Sequence, residues 1–420
     1  MGIFSALFSG VNGINSNGSV VSVIGDNIAN VNTVGYKASR ASFEDILAGS
    51  ESNVGLGSRI SSVDPLFGQG GFESSSSVTD MAIDGNGFFM VENATDSSAF
   101  YSRAGQFHIN KDGFIVNAND ERLQGYQVTS GAITSNVDSL VVSQAPVQPS
   151  SSSTISVDAN LNSNSTAPAA FSAANPTGTS NFSAGVTVYD SLGNSHLVTI
   201  YFRKTATNEW QWYSLANGAE VTNPTSGVNY VGGSGTLSFN NSGALTSGST
   251  SAAFTFLGAA SQTLTFDFGT GTAASGTGLD GVTQFGSSSA ISNISQNGYA
   301  SGSLLSIDVS SSGTITGNYS NGTTQTLGQV AIATFSDQQQ LRRVGNNNFQ
   351  ETLNSGSPLI GAPGSSGKGT IVSSTLEQSN VDLANELIRM VIIQRGFQAN
   401  SRTIATVNDL LAQLVTLGQG

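Results

Sequence analysis

Apolar positions follow two different periods along this chain. Near the N-terminus Phe4, Leu7, Val11, Ile14, Val21, Ile24 and Ile28 recur at steps of three, four or seven, which predicts a helix with one apolar stripe. Within it Leu7, Ile14, Val21 and Ile28 keep strict sevenfold spacing. Gly10, Gly13, Gly18 and Gly25 lie in the same stretch. Each Gly costs about 0.5–1 kcal/mol relative to Ala in a helix, so this one is expected to need partners. The C-terminal end carries a stronger pattern. Leu383, Met390, Phe397, Ile404 and Leu411 form one seven-residue series, and Ile393, Val407 and Leu414 fill the companion series three residues on. That is the a/d pattern of a coiled coil. The stretch from Leu387 to Ile393 is apolar almost all round. A helix of that kind needs cover on several sides, which one partner cannot supply.

Between the two ends the period falls to two. Val186–Tyr189, the polar run 190–195 and Leu197–Phe202 read as strand, turn, strand. Phe107–Ile109, Lys111-Asp112-Gly113 and Phe114–Val116 read the same way, with Asp-Gly as the hairpin signal. Further short runs at 254–257, 264–268, 304–309 and 330–335 extend the β content. The expected fold is mainly β with α-helical termini that pair as a coiled coil, and nested β domains between them. The expected segments are terminal helices at 1–30 and 371–420 and extended connectors at 31–71 and 361–370. Between these lie a discontinuous middle β domain at 72–145 and 288–360 and an inserted β domain at 146–287. A domain inserted at a loop tip leaves its host intact, because the host halves still pair.

Composition narrows the function. The chain has 14 Lys and Arg against 27 Asp and Glu, a net charge of −13, and only 10% charged residues. Ordinary soluble proteins carry about 25%. So few bases leave no phosphate-tracking patch, which argues against nucleic acid as a partner. With no Cys, disulfides, thiolate metal sites and a Cys nucleophile are excluded. No run approaches the roughly 18 apolar residues needed to cross a bilayer, so no membrane insertion is expected. The first basic residue is Lys37, so no secretory signal with a basic leading region is expected.

The search for chemistry returns little. His108 and His196 sit in or beside hairpins and in no cluster. The loop Gly364-Ser365-Ser366-Gly367-Lys368-Gly369-Thr370 fails as a phosphate loop, with Ala362 at the first Gly position and Gly369 after the Lys. Asp84-Gly85-Asn86-Gly87 lacks the spaced carboxylates of a calcium loop and reads as a tight turn. Trp210 and Trp212 alternate on one strand face, where a core or interface is a commoner reason than a sugar platform. No catalytic, cofactor or metal residue is assigned, and the chain is not expected to be an enzyme.

Three segments resemble the bacterial flagellar hook proteins, within the family of flagellar axial rod and hook subunits. The first is Ile24-Gly25-Asp26-Asn27-Ile28-Ala29-Asn30-Val31-Asn32-Thr33-Val34-Gly35-Tyr36-Lys37. The second is Ser379-Asn380-Val381-Asp382-Leu383 with Gln394-Arg395-Gly396-Phe397-Gln398-Ala399-Asn400-Ser401. The third is Arg103-Ala104-Gly105-Gln106-Phe107 with its Gly113-Phe114 turn. Val188 to His196, Tyr319 to Gly322 and Leu327 to Ala331 resemble the parts that set hook apart from rod subunits. The resemblance implies a flexible curved tube joining rod to filament and transmitting motor torque. Paired terminal helices would line a central channel, and the domain at 146–287 would lie outside. It implies assembly contacts through the helical apolar positions named above. It also implies export through the flagellar type III apparatus without a cleaved signal, and the distal rod, hook cap and hook–filament junction proteins as partners. A distal rod protein would lack most of 146–287. A secreted β-rich adhesin or fibre protein, the other alternative, does not explain heptads at both ends.

Overall fold

Helix α1 spans Gly2–Ala29 and helix α2 spans Leu383–Leu417 in the computed structural model, which describes residues 2–47, 55–129, 131–222, 229–248 and 250–417. The two helices pack antiparallel. Gly10 lies against Ile404, Gly13 against Asn400 and Asn17 against Gly396, so the numbers rise on one helix as they fall on the other. Coiled-coil pairing within one chain agrees with the heptads at both ends.

Helix α2 begins later than the heptad segment expected from 371. Asp382 Oδ1 accepts from the backbone N–H groups of Ala384 and Asn385 at 3.0 and 3.1 Å, which fixes the N-cap. Upstream, the β-branched run of Thr370–Ser373 pairs with Met81–Asp84, and Thr375–Glu377 pairs with Phe72–Ser74. The connector expected over 31–71 also carries regular structure. Strands β1 (Ser39–Leu47) and β2 (Gly55–Pro65) form an antiparallel hairpin, and residues 48–54 lie outside the described residues. Ser and Gly dilute its apolar alternation. The hairpin depends on α1, where Asn12 Nδ2 and Ser16 Oγ each donate at 2.8 Å to the carbonyls of Leu56 and Ser58.

The chain divides into two compact units, 1–144 with 306–318 and 324–420, and 145–305 with 319–323. In the first, an antiparallel sheet packs around Phe88, Met90, Tyr101, Leu341 and Phe349. Its hairpin pairs His108–Ile109 with Ile115–Val116, and Gly113 takes the positive φ of 86° that the turn needs. Asn110 Oδ1 accepts from Asp112 N and Phe114 N, closing the turn from within.

The second unit has two sheets. One orders Phe182–Tyr189, Ser195–Ala206, Glu209–Asn217, Asn229–Phe239 and Leu245–Ser247. The other holds Thr250–Phe254, Gln262–Asp267, Thr154–Asn160 and Ala290–Gln296. Between them Trp210, Trp212, Phe202, Phe254, Phe266 and Phe268 are fully buried, so the tryptophan pair is core and not a surface platform. Trp210 Nε1 donates to Gln284 Oε1 at 2.8 Å, which satisfies its buried N–H. Residues 290–296 pair with 154–160 and thus pack with this unit.

Candidate assembly surface and its joint

The seam between α1 and α2 is built by absence of side chain as much as by apolar contact. A Cβ on Gly10 would stand 2.8 Å from Ile404 Cγ1, and one on Gly13 would stand 2.4 Å from Asn400 Nδ2. These glycines let the helices approach. Among the described residues, a Cβ on Gly18 or Gly25 would meet nothing within 4 Å. Towards the other end of α1, Val20 and Ile24 are buried. On α2 Val407 is buried and Met390, Ile393, Asn400, Ile404 and Leu411 are half-buried, at the heptad spacing expected of them. Leu383 and Phe397 are exposed at 43% and 42%. Gly396, not Phe397, takes the seam place beside Asn17. The side chain of Leu414 lies outside the described residues.

The sevenfold stripe of α1 stands beside this seam. Ile14 and Val21 each follow a seam residue by one position, Gly13 and Val20, which turns them about 100° round the helix. Leu7, Ile14, Val21 and Ile28 are all half-buried, and Phe4, Phe8 and Val11 beyond them are exposed. Helix α2 is likewise bare away from the seam, with Leu387, Ile388, Val391 and Ile392 exposed. The pair of helices thus covers only one side of each.

The motif residues near the helix ends form a joint between the helices and the β body. Asn27 is buried and holds both backbone groups of Ser39, donating to its carbonyl and accepting from its N–H, each at 2.8 Å. Asn30 Nδ2 donates to Asp26 O at 2.9 Å, and Thr33 Oγ1 donates to Asn30 Oδ1 at 3.1 Å. Gly35 has φ +70°, and a Cβ there would lie 2.4 Å from Ala104 N, so only Gly fits. Asn380 Oδ1 accepts from Ala38 N at 2.8 Å, and its amide donates to Leu66 O and Gly68 O. Ser379 Oγ accepts from Val381 N. Ala29, Gln394, Arg395 and Gln398 are exposed.

At the centre of the joint lies a buried charge cluster. Lys37 Nζ sits 2.6 Å from Glu377 Oε1, and Arg103 Nη1 sits 3.2 Å from Glu377 Oε2. Gly70 N also donates to Glu377 Oε1, while Lys37 donates to Gly68 O and Arg103 to the carbonyls of Ile83 and Gly85. Burial lowers the Lys37 pKa, with the Glu377 charge opposing and the Arg103 charge assisting. The Arg103 guanidinium also lies over the Phe88 ring. Glu377 escaped the sequence reading, since no spacing rule links it to a lysine 340 positions away.

Outside the joint, His196 is held by a ring stack and two carboxylates. Its ring stacks on Phe256 with centroids 3.7 Å apart, Nδ1 lies 2.7 Å from Glu220 Oε2, and Nε2 lies 3.2 Å from Asp190 Oδ2. Asp190 Oδ1 accepts from Leu192 N and Asn194 N, so the group braces the 190–194 turn. Burial alone would raise the Asp190 pKa. The hydrogen bonds from Asn194, His196 and Leu192 outweigh it and hold the carboxyl below its ordinary value. Among the described residues no group of three or more His, Cys, Asp or Glu is placed to hold a metal ion. No described helix is long and apolar enough to cross a membrane.

Comparison with known proteins places this arrangement. Residues 8–37 match the flagella basal body rod protein family, and 82–165 match the flagellar hook protein FlgE/F/G D1 domain. Residues 160–299 match the flagellar basal body protein FlaE D2 domain, and 372–417 match the flagellar basal body rod FlgEFG protein C-terminal family. The chain is 35% identical to the flagellar hook protein FlgE of Escherichia coli K12, over 98% of this chain and 100% of that one. It is 36% identical to the flagellar hook protein FlgE of Salmonella typhimurium, over 97% and 98%. It is 34% identical to that of Borreliella burgdorferi, over 98% and 99%. The crystal structure of Helicobacter pylori flagellar hook protein FlgE2 has a TM-score of 0.54 at 15% identity, covering 73% of this chain and 100% of that one, a likeness of fold. With relatives above 30% identity aligned over nearly the whole of both chains, this chain belongs to the flagellar hook protein family.

Proposed function

We propose that this chain is a structural subunit of the flagellar hook, that it polymerises through its terminal helices into a curved tube, and that it catalyses no reaction. The observation that carries the reading is the bare apolar surface on both helices after they have paired with each other. Apolar surface of this kind on a terminal helix gains about 25 cal/mol per Å² when covered by neighbours, which offsets the entropy of ordering the ends. Repeated head-to-tail, such contacts make an open helical assembly.

In this reading α1 and α2 line a central channel, and the β1–β2 hairpin belongs to the connecting layer. The sheet of the first unit forms the middle domain, and the unit spanning 145–305 forms the outer domain. The tube joins rod to filament and passes motor torque. Low charge on the outer surface lets protofilaments slide past each other without breaking strong ion pairs. Residues Leu7, Ile14, Val21, Ile28, Leu383, Met390, Ile393, Phe397, Ile404, Val407, Leu411 and Leu414 contribute to the helical contacts. The partners are further copies of itself, the distal rod, hook cap and hook–filament junction proteins, and the type III export apparatus. The subunit reaches the cell exterior without a cleaved signal.

The test is complementation of a bacterium that lacks its own hook subunit. Curved tubes on the basal bodies and restored swimming are expected. Secreted particles or straight fibres unattached to basal bodies would favour the adhesin reading instead.

A further inference from the structure

One face of the helical pair holds an apolar groove of about 200 Å³ between α1, α2 and β1. Val20 and Ile24 of α1, Ala41 and Phe43 of β1, and Ile392 and Ile393 of α2 form its walls. Glu386 lines the same groove and is only 6% exposed. Its Oε1 accepts from Arg389 Nη1 at 3.4 Å, a long bond to a side chain that is half in water. Its Oε2 is buried and has no hydrogen-bond partner among the described residues. A buried carboxylate oxygen left bare carries a desolvation penalty that a donor from outside would remove.

Resting on the hook-subunit reading, we propose that Arg395 of a second copy of this chain enters this groove and donates to Glu386. The donor must be something both copies carry. Helix α1 has no cationic side chain, and α2 has three, Arg389, Arg395 and Arg402. Arg389 already lies against Glu386 in its own chain. Arg395 and Arg402 are exposed, and among the described residues neither guanidinium makes a hydrogen bond or ion pair. Arg395 is flanked one turn back by Val391 and two turns back by Ile388, each about half exposed or more at 49% and 59%. Those side chains supply the apolar shoulders that the groove walls need. Arg402 is flanked by Gln398, Ala399, Ala405 and Thr406, which supply none. Arg40 and Arg389 stand at the rim in water, where screening weakens their repulsion of an incoming cation.

The geometry of α2 also suits polymerisation. Arg395 follows Glu386 by nine positions, which places it about 180° round the helix. Donor and acceptor therefore lie on opposite faces of one helix. A contact between two different faces is heterologous and repeats without closing on itself, whereas an isologous contact would stop at a dimer.

A double-mutant cycle on the full chain tests the pairing, with the critical concentration for tube formation as readout. The variants are Glu386→Gln, Arg395→Gln, both together, and Arg402→Gln alone and combined with Glu386→Gln. Retained monomer far-ultraviolet circular dichroism shows that each variant folds. Each partner's single change is expected to raise the critical concentration about tenfold, and the double change no further than either single one. Wild-type concentrations in both singles, or effects that multiply in the double variant, would overturn the pairing. Non-multiplying behaviour of Glu386→Gln with Arg402→Gln in place of Arg395→Gln would overturn the choice of arginine. Failure of the wild-type chain to form tubes at any concentration would count against the hook-subunit reading itself.

Discussion

Replacing Glu377 by Gln should be far more damaging than replacing Lys37 by Met, although the two residues form one ion pair. Glu377 is fully buried and is the anion for two buried cations, Lys37 at 2.6 Å and Arg103 at 3.2 Å. Glu377→Gln leaves both cations facing a neutral amide. An uncompensated buried charge of this sort costs about 3–5 kcal/mol. Lys37→Met loses the 2.6 Å pair with Glu377 and the bond to Gly68 O, but leaves Glu377 compensated by Arg103 and by the bond from Gly70 N. That cost is about 1.5–3 kcal/mol. With a urea slope of about 1–3 kcal/mol per M, the first change should lower the unfolding midpoint by roughly 1–5 M. Both tryptophans, Trp210 and Trp212, lie in the unit spanning 145–305, and α1 and α2 lie in the other. Tryptophan fluorescence therefore reports one unit and helical circular dichroism the other. Glu377→Gln should move the helical transition and leave the fluorescence transition in place. Lys37 adds a pH signature. Its folded pKa lies below the unfolded 10.5, so between the two values the unfolded chain binds more protons and stability rises with pH. Without the Glu377 charge this window widens downwards, so the Gln variant should regain part of its loss on going from pH 7 to pH 10. Equal costs for the two substitutions, or a loss shared equally by the fluorescence transition, would refute the reasoning.

Gly10→Ala should lower the thermal midpoint of the helical signal. The new Cβ meets Ile404 Cγ1 at 2.8 Å, and such overpacking costs about 1–3 kcal/mol against a propensity gain of about 0.5–1 kcal/mol. Gly18→Ala and Gly25→Ala enter open space and should raise the same midpoint. Asp190→Ala should abolish an acid-sensitive part of the stability of the unit containing 182–206. The folded Asp190 pKa lies below 3.8, so its contribution is present above pH 4 and is lost as pH falls through the folded value. Tryptophan fluorescence during acid titration of wild type and variant reads this directly.

Much of the fold was legible because strong periodicity survives in a Ser- and Gly-rich chain. The heptads from Met390 to Leu411 mark a helix and, Phe397 apart, the face it turns to α1, and the runs at 186–202 and 107–116 fall on observed hairpins. The tryptophan pair read as core for the same reason, since alternation puts both on one face. The β1–β2 hairpin was not legible, because polar side chains of α1 stabilise it and its own apolar positions are sparse. Nor was the true seam of α1. An apolar count favours Leu7, Ile14 and Val21, whereas close approach selects Gly10 and Gly13, which such a count scores as defects. Leu383 fits the heptad yet is exposed, lying beside the N-cap Asp382 where α2 starts. Glu377 was invisible because its partners come from distant segments of the chain.

The central claim is that the paired terminal helices are the inner wall of a tube built from copies of this chain. A helical reconstruction by electron cryomicroscopy of tubes assembled from the purified chain tests it most directly. The account predicts α1 and α2 around a central channel, with Ile388, Val391 and Arg395 covered by a neighbouring subunit and the unit spanning 145–305 at larger radius. Tubes with the helices on the outer surface, or with those three side chains facing solvent, would contradict it.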